Sequence, residues 1–173
     1  NIHNTFRKTL ALVLLVALVG IAAAGTCYSK EAKQVAALPF TINAQQDLTF
    51  LKKGIFDMFV SRLTYGDEVK VLTRETLESR LSQAASAIDL ATGITESKAR
   101  QIGALLDVDY VLFGSLTLFG NSMSLDTNMV DIKTGQPTLA FFRQSDNAGA
   151  VIPELNQIAE EINYKVFGRE TIA

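Results

Sequence analysis

Histidine, cysteine and tryptophan are almost absent from this 173-residue sequence. The single histidine is His3, so no histidine base, Ser-His triad or histidine-ligated metal is expected in the rest of the chain. The single cysteine, Cys27, excludes an intramolecular disulfide and a thiolate zinc site within one chain. No glycine-rich phosphate loop is seen, because Gly114, Gly120 and Gly135 lie far apart. We therefore expect no catalytic residue, no cofactor and no metal site, and interpret the protein as non-enzymatic.

The only long apolar run covers residues 10–24 and follows Arg7 and Lys8. A basic segment, an apolar segment and small residues in that order are typical of a secretory signal peptide. The sequence predicts a signal peptide at 1–24, with cleavage after Ala22 and Ala24 and before Gly25. The run is shorter than the roughly 20 apolar residues of a spanning helix, which leaves an uncleaved amino-terminal anchor as the alternative.

Residues 25–34 are predicted to form a flexible tether before a single domain at 35–168. Cys27 lies three residues beyond the predicted cut and is either a lipidation site or a free thiol, although Thr26 is a poor residue before a lipidated cysteine. The chain begins with Asn1 rather than Met, as a fragment of a longer protein would. After removal of the leader, 14 basic residues remain against 18 acidic ones, a net charge of −4. This charge argues against binding to nucleic acid and fits a protein exported to the periplasm or the outer-membrane periphery.

The apolar pattern predicts helices and strands in alternation. A short run at 35–40 indicates a buried strand closed by Pro39, and 41–47 a polar loop with Asp47 as an N-cap. Further strands are expected at 69–73, 109–119, 122–132 and 138–144. Helices are expected at 48–63, at 74–88, after Thr95 and after Pro153.

The predicted order is β-α-β-α-α-β-β-β-α. It favours an α/β (α+β) sandwich, in which helices pack on a mixed sheet of about five strands. In strand 122–132 apolar and polar residues alternate, which predicts one wet face. The strand at 138–144 is a candidate sheet edge able to accept a partner's strand.

Few side chains are candidates for binding. Asn43, Gln45, Gln46 and Asp47 follow the first strand, where open α/β sheets bind ligands, and form a candidate partner-contact loop. Asp107 and Asp109 are a weak candidate for a hard cation.

The remaining charged candidates have plainer interpretations. We expect Asp126 and Asp131 to face opposite sides of the sheet, because they lie five apart on one strand. Glu160 and Glu161 are interpreted as a solvated helix face, and Arg74 as a surface partner of Glu75 or Glu78.

Four segments together resemble a group of Gram-negative envelope domains: Pro39-Phe40, Val71 to Arg74, Leu105 to Leu116, and Asp131 to Gly135. The group includes the amino-terminal domain of TolB, the FlgO family and the core of CsgG, and the resemblance covers roughly residues 35–167. It consists of packing and turn residues and carries no catalytic signature.

The resemblance implies an exported, non-enzymatic envelope domain that binds envelope proteins or assembles with them, in one context as the leading domain of a propeller-repeat protein. One alternative is a subunit or lipoprotein of an outer-membrane, secretion or flagellar assembly, which would require oligomerisation. A second alternative is a small-ligand-binding domain that uses the 41–47 loop with the carboxylates near 107–109.

Overall fold

The computed structural model describes residues 31–84 and 93–169. The six strands are β1 (Lys33–Ala37), β2 (Thr41–Asn43), β3 (Val69–Val71), β4 (Tyr110–Phe119), β5 (Ser122–Asp131) and β6 (Leu139–Ser145). The helices are α1 (Phe50–Leu63), α2 (Arg74–Ala84), α3 (Glu96–Leu106) and α4 (Val151–Phe167), and a short 3-10 turn at Ala148–Ala150 precedes α4. The predicted signal peptide, its cleavage residues Ala22, Ala24 and Gly25, and the candidate lipidation site Cys27 lie outside the described residues.

The strands form one mixed sheet in the order β3-β1-β4-β5-β6, with β2 also paired to β4. The pairs of β1 with β3, β1 with β4 and β2 with β4 are parallel, whereas β4, β5 and β6 form an antiparallel meander. The α/β sandwich expected from the sequence is confirmed. The sheet has six strands rather than about five, because the segment expected to begin a polar loop contains β2.

β1 and β2 act as one strand interrupted at Pro39. Ala37 pairs with Leu112 and Thr41 with Ser115, so three residues of this strand lie opposite two residues of β4. Proline has no N–H for a ladder hydrogen bond, which explains the interruption at this position. The extra residue lets the Phe40 ring lie against Gly114, where an added Cβ would meet the ring at 2.7 Å.

Helices α1 and α4 pack on one face of the sheet, which we call the inner face. Phe40 stacks on Phe59 of α1 with 5.5 Å between ring centroids. Arg143 of β6 bonds to Glu161 of α4. The core between them is apolar and includes Ile55, Leu112, Leu116, Leu125, Met129, Leu155 and Ile158, all buried.

Helix α3 packs on the opposite, outer face, over the start of β4 and the end of β5. Its Gly103 allows close approach, because a Cβ there would meet Ile132 at 2.6 Å and Val111 at 2.8 Å. The predicted cap Thr95 is confirmed, since its side chain accepts the Lys98 N–H. Farther along the outer face, polar β5 side chains such as Ser124 and Asp126 alternate with buried ones, as expected of a strand with one wet face.

Element boundaries differ from the sequence prediction by a few residues. β1 begins at Lys33, two residues before the expected start. β3 ends at Val71, because α2 begins at Arg74. The predicted end of α2 at residue 88 lies outside the described part of the chain. Within residues 31–84 and 93–169, no helix has the length and apolar content needed to cross a bilayer.

Candidate functional site

The candidate partner-contact residues lie where β2 and β4 end. Asn43 pairs with Thr117, and its Nδ2 donates to Thr117 Oγ1 at 3.2 Å. Gln45 and Gln46 follow in an exposed loop and line a shallow cavity of about 270 Å³ together with Leu48, Leu118 and Ala148. Three chain segments therefore meet around the predicted loop and line a shallow cavity, and its use for partner contact stays a prediction.

Asp47 organises this loop, although it is not the N-cap of α1. The Thr49 N–H donates to Asp47 Oδ1 at 3.0 Å, and the Thr49 hydroxyl donates to the same oxygen at 2.6 Å. Both bonds lower the pKa of Asp47 below its usual range, and the bond from the Thr49 hydroxyl has the larger effect. The cap residue of α1 is Thr49, whose side chain makes no capping bond. Asp47 therefore forms a turn across Leu48 ahead of the helix.

Three large apolar side chains are exposed at the same end of the sheet. Phe119 ends β4 and is 73% exposed, Phe50 begins α1 and is 69% exposed, and Ile152 lies in the first turn of α4 and is 59% exposed. We call this region, residues 44–50, 119–122 and 146–152, the loop end. Sequence reasoning missed these residues, because each one only widens the apolar pattern of its own helix or strand.

Hydrogen bonds hold the loop end together. Asn121 Nδ2 donates to the Asp146 carbonyl at 2.5 Å, and the Ser122 hydroxyl to Asp146 Oδ1 at 3.2 Å. Asn147 Oδ1 accepts the Gly149 N–H at 2.9 Å. The β4–β5 turn, which follows Phe119, and the segment leading into α4, which precedes Ile152, are thus fixed to one another.

The carboxylates at 107 and 109 lie at the other end of the sheet. Asp109 directly precedes β4, whereas the candidate loop lies beyond Thr117, about 26 Å away at about 3.3 Å per strand residue. Asp109 accepts the Gln34 N–H at 2.8 Å, and Asp107 is bonded to Lys133, which lowers the Asp107 pKa. The small-ligand alternative requires the 41–47 loop and the carboxylates of Asp107 and Asp109 to form one site. They lie at opposite ends of the sheet and do not.

Other charged residues have different partners from those expected. Arg74 lies over the Phe56 ring, 4.7 Å from its centroid, with Nη2 3.7 Å from Asp57 Oδ1, so its partner is α1 rather than Glu75 or Glu78. Glu161 is not part of a solvated face. It accepts from Arg143 Nη2 at 2.7 Å and from Lys165 at 2.5 Å.

The carboxylates of β5 do not form a pair. Asp126 lies opposite Ser115 on the outer face, whereas Asp131 lies opposite Tyr110 on the inner face, as expected. Among the residues that the structure describes, no group of three or more His, Cys, Asp or Glu side chains is placed to hold a metal ion.

A second concavity, which we call the edge cavity, lies between the start of β6 and the end of α4. Its volume is about 340 Å³, and its lining includes Tyr110, Met129, Asp131, Pro137, Leu139 and Lys165. Phe167 packs edge-on against Tyr110 at 5.5 Å between ring centroids. Burial, followed by the nearby charges of Asp131 and Asp109, raises the pKa of the Tyr110 hydroxyl. The phenol therefore stays neutral at physiological pH.

Comparison with known proteins gives matches in structure only. No protein-family model and no curated protein matches the sequence. The LpoB C-terminal domain from Salmonella enterica matches with a TM-score of 0.50 at 15% identity, over 72% of this chain and 88% of that domain. The chain has the fold of the LpoB C-terminal domain. LpoB and this chain share too little sequence for the match to show more than that.

Two further structures share this LpoB-like fold. TolB from Acinetobacter baumannii matches with a TM-score of 0.53 at 14% identity, over 82% of this chain but only 30% of TolB. Lipoprotein GNA1162 from Neisseria meningitidis matches with a TM-score of 0.52 at 14% identity, over 77% of this chain and 98% of that protein. The resemblance to TolB is thus confirmed at the level of the fold, and the resemblance to FlgO and CsgG stays a prediction.

Proposed function

We propose that this chain is a non-enzymatic protein-interaction domain of the cell envelope and that it contacts its partner through the loop end. The observation that carries the proposal is the exposure of Phe50, Phe119 and Ile152 at one end of the sheet. Large apolar side chains exposed at the same end of a domain favour an interaction surface at that end, because they contribute nothing to the core while they remain in water. Gln45 and Gln46 supply the polar part of this surface.

The two ends of the described domain favour the same surface. Lys33 begins β1 and pairs with Val69, and Val69 bridges to Tyr65. The Arg169 guanidinium lies 3.9 Å from the Tyr65 ring centroid, so residues 33 and 169 are at one end of the sheet. The loop end is at the other. Glu31, where the described domain begins, is therefore at the end of the sheet opposite the loop end.

Export and an envelope location are part of this proposal. They are supported by the apolar run at 10–24 behind Arg7 and Lys8 and by the fold shared with TolB and with a neisserial lipoprotein. The net charge of −4 outside the leader is the reason for preferring a protein partner over nucleic acid.

Site-specific photo-crosslinking in the producing cells tests the proposal. A photoreactive amino acid replaces Phe119 in the full chain, and in a matched control it replaces Tyr65, an exposed aromatic residue at the other end of the sheet. We expect a discrete crosslinked species from position 119 that is lost when Ile152→Glu is added, and none from position 65. The proposal fails if position 119 gives no crosslinked species, or if position 65 gives the same species.

A further inference from the structure

Within residues 31–84 and 93–169, strand β6 is an edge of the sheet with no strand on its outer side. It pairs with β5 on one side, and it is the last strand in the sheet order. Its seven residues make it much longer than β3, the three-residue strand at the opposite edge. A strand of this length leaves a row of backbone N–H and C=O groups able to pair with another chain.

The usual protection of an edge strand is weak in β6. Lysine, proline or an inward-pointing charge normally prevents pairing at such an edge, because an added strand would bury the charge. Arg143, the one charged residue of β6, points inward, but its charge is already paired with α4, with Nε 3.5 Å from Glu154 and Nη2 2.7 Å from Glu161. Leu139 and Phe142 are instead 40% and 55% exposed.

The edge cavity opens beside this strand. Met129 is buried and forms its apolar floor, whereas Gln136, Pro137 and Leu139 are exposed and border the opening. Because Leu139 belongs both to the cavity and to β6, a strand added along β6 would pass the opening. Successive side chains of an added strand point alternately to the two faces, so alternate ones would face this cavity.

The charged groups that line the cavity already have hydrogen-bond partners in the domain. Asp131 Oδ1 accepts the Thr134 N–H at 2.7 Å, and Lys165 is bonded to Glu161 at 2.5 Å. The Tyr110 hydroxyl is held neutral by its surroundings. The apolar part of the lining, Met129, Pro137, Leu139 and Val166, suits an uncharged apolar side chain, whose burial there leaves no charge without water.

We propose that β6 binds an extended segment of a partner protein as an added strand, and that a bulky apolar side chain of this segment enters the edge cavity. Backbone hydrogen bonds would supply affinity and the cavity would supply selectivity. This surface is separate from the loop end, so the proposal stands independently of the one made above.

A second copy of this chain fits the site poorly. On the inner face β6 carries Leu139, Phe141, Arg143 and Ser145. Phe141 is buried beneath its own α4, and Arg143 is held by its own ion pairs. A full-length antiparallel β6-to-β6 pairing therefore places Ser145 of the second copy opposite Leu139 and beside the cavity, whereas a segment of another protein can place a bulky apolar side chain there.

Selection from a displayed library of random linear 12-residue peptides against the full chain tests the proposal. We expect enriched peptides to share one large apolar residue flanked by β-branched residues. Replacement of that residue by serine should raise the Kd at least tenfold, as should Leu139→Lys in the protein. The matched control Tyr164→Lys, at an exposed position of α4, should leave the Kd within twofold.

Three results would overturn the proposal. One is the absence of peptides enriched over an unrelated control protein, and another is equal binding by the Leu139→Lys variant. If the Leu139→Lys variant binds the peptides as tightly as the unmodified chain, a loss of binding with Phe119→Glu would show that the peptides bind at the loop end. The third is a concentration-dependent dimer abolished by Leu139→Lys. If Leu139→Lys does not fold, as judged by circular dichroism, Val166→Phe, which narrows the same cavity from α4, takes its place.

Discussion

At the scale of single residues, two positions on the inner face of the sheet show how closely the core is fitted. Gly114 of β4 lies beneath the Phe40 ring, and Thr127 lies opposite it on β5. The glycine is required because the ring and a strand carbonyl occupy the space of a side chain. The threonine hydroxyl has no hydrogen-bond partner among the described residues. The packing at this point therefore requires glycine at position 114 and leaves the buried Thr127 hydroxyl unpaired.

Replacement of Gly114 by alanine should destabilise the domain. The added Cβ would lie 2.1 Å from the Asp126 carbonyl oxygen, which is backbone and cannot move aside cheaply. We expect the free energy of unfolding to fall by about 2–3 kcal/mol, as measured by urea denaturation. Gly54→Ala is the matched control, because nothing lies within 4 Å of its added Cβ. That change in α1 should raise the stability by up to about 1 kcal/mol, and equal effects of both changes would contradict the packing described.

Replacement of Thr127 by valine should stabilise the domain. Thr127 is 1% exposed, and its Oγ1 makes no hydrogen bond to the described residues. Valine has nearly the same shape and removes the cost of burying an unpaired hydroxyl, so we expect a gain of about 1 kcal/mol. Thermal unfolding of the two proteins at one pH measures it. A loss of stability would show that the hydroxyl has a partner.

At the scale of helices and strands, α4 is fastened to β6 by an ion-pair network. Glu161 joins Lys165 of its own helix to Arg143 of the strand, and Glu154 lies on the other side of Arg143. Arg143, Glu154 and Glu161 are only partly exposed, so solvent screens their ion pairs less than it would a pair on the open surface, whereas Lys165 is exposed. The network also pairs the inward-pointing charge of Arg143.

Glu161→Gln should reduce stability in a pH-dependent manner. Lys165, and then Arg143, lower the pKa of Glu161 below its ordinary value of 4.5. A carboxyl with a lowered pKa in the folded state contributes stability above about pH 4.5, and this contribution is lost as the pH falls through the lowered value. We expect the variant to be about 1 kcal/mol less stable at pH 7.

Urea denaturation of the Glu161→Gln variant and the unmodified chain from pH 7 to pH 3 measures this difference, which should shrink below pH 4. Glu160→Gln is the control, because Glu160 is exposed and adjacent to Glu161. A constant difference across the pH range would mean that the ion pairs do not account for the effect.

At the scale of the whole molecule, the two ends of the sheet differ in the residues that they carry. One end carries residues 33 and 169. It also carries Asp107, which is bonded to Lys133, and Asp109, which is bonded to the Gln34 N–H. The other end, the loop end, carries exposed apolar side chains, and neither residue 33 nor residue 169 lies there. This difference between the two ends is the reason for placing the proposed partner contact at the loop end.

Phe119→Ser should leave folding intact while weakening partner contact. Phe119 is largely exposed at the end of β4, so its loss should change the free energy of unfolding by no more than about 0.5 kcal/mol. Crosslinking from a photoreactive group at position 50, in the same loop end, should fall at least severalfold in this variant. Leu105→Ser, an exposed apolar position on α3, is the matched control and should leave that crosslinking unchanged. Unchanged crosslinking with Phe119→Ser would assign partner contact to another surface.

The sequence by itself determined the long elements of the fold. Alternation along most of β5, the cap at Thr95 and Pro153 in the first turn of α4 are local signals, and each was placed correctly because neighbouring residues suffice to produce it. The low content of histidine and cysteine likewise constrained function without any structure.

Only the tertiary structure decided which distant residues come together. β2 is a strand because β4 lies beside it, and Pro39 and Phe40 can be placed only once Gly114 is opposite them. The loop end brings together residues about 100 positions apart in the chain, and Glu161 of α4 is bonded to Arg143 of β6. Periodicity reports which face of an element is buried. It does not report which elements share an end of the sheet or which strand is left at its edge, because these follow from the order in which the strands pair.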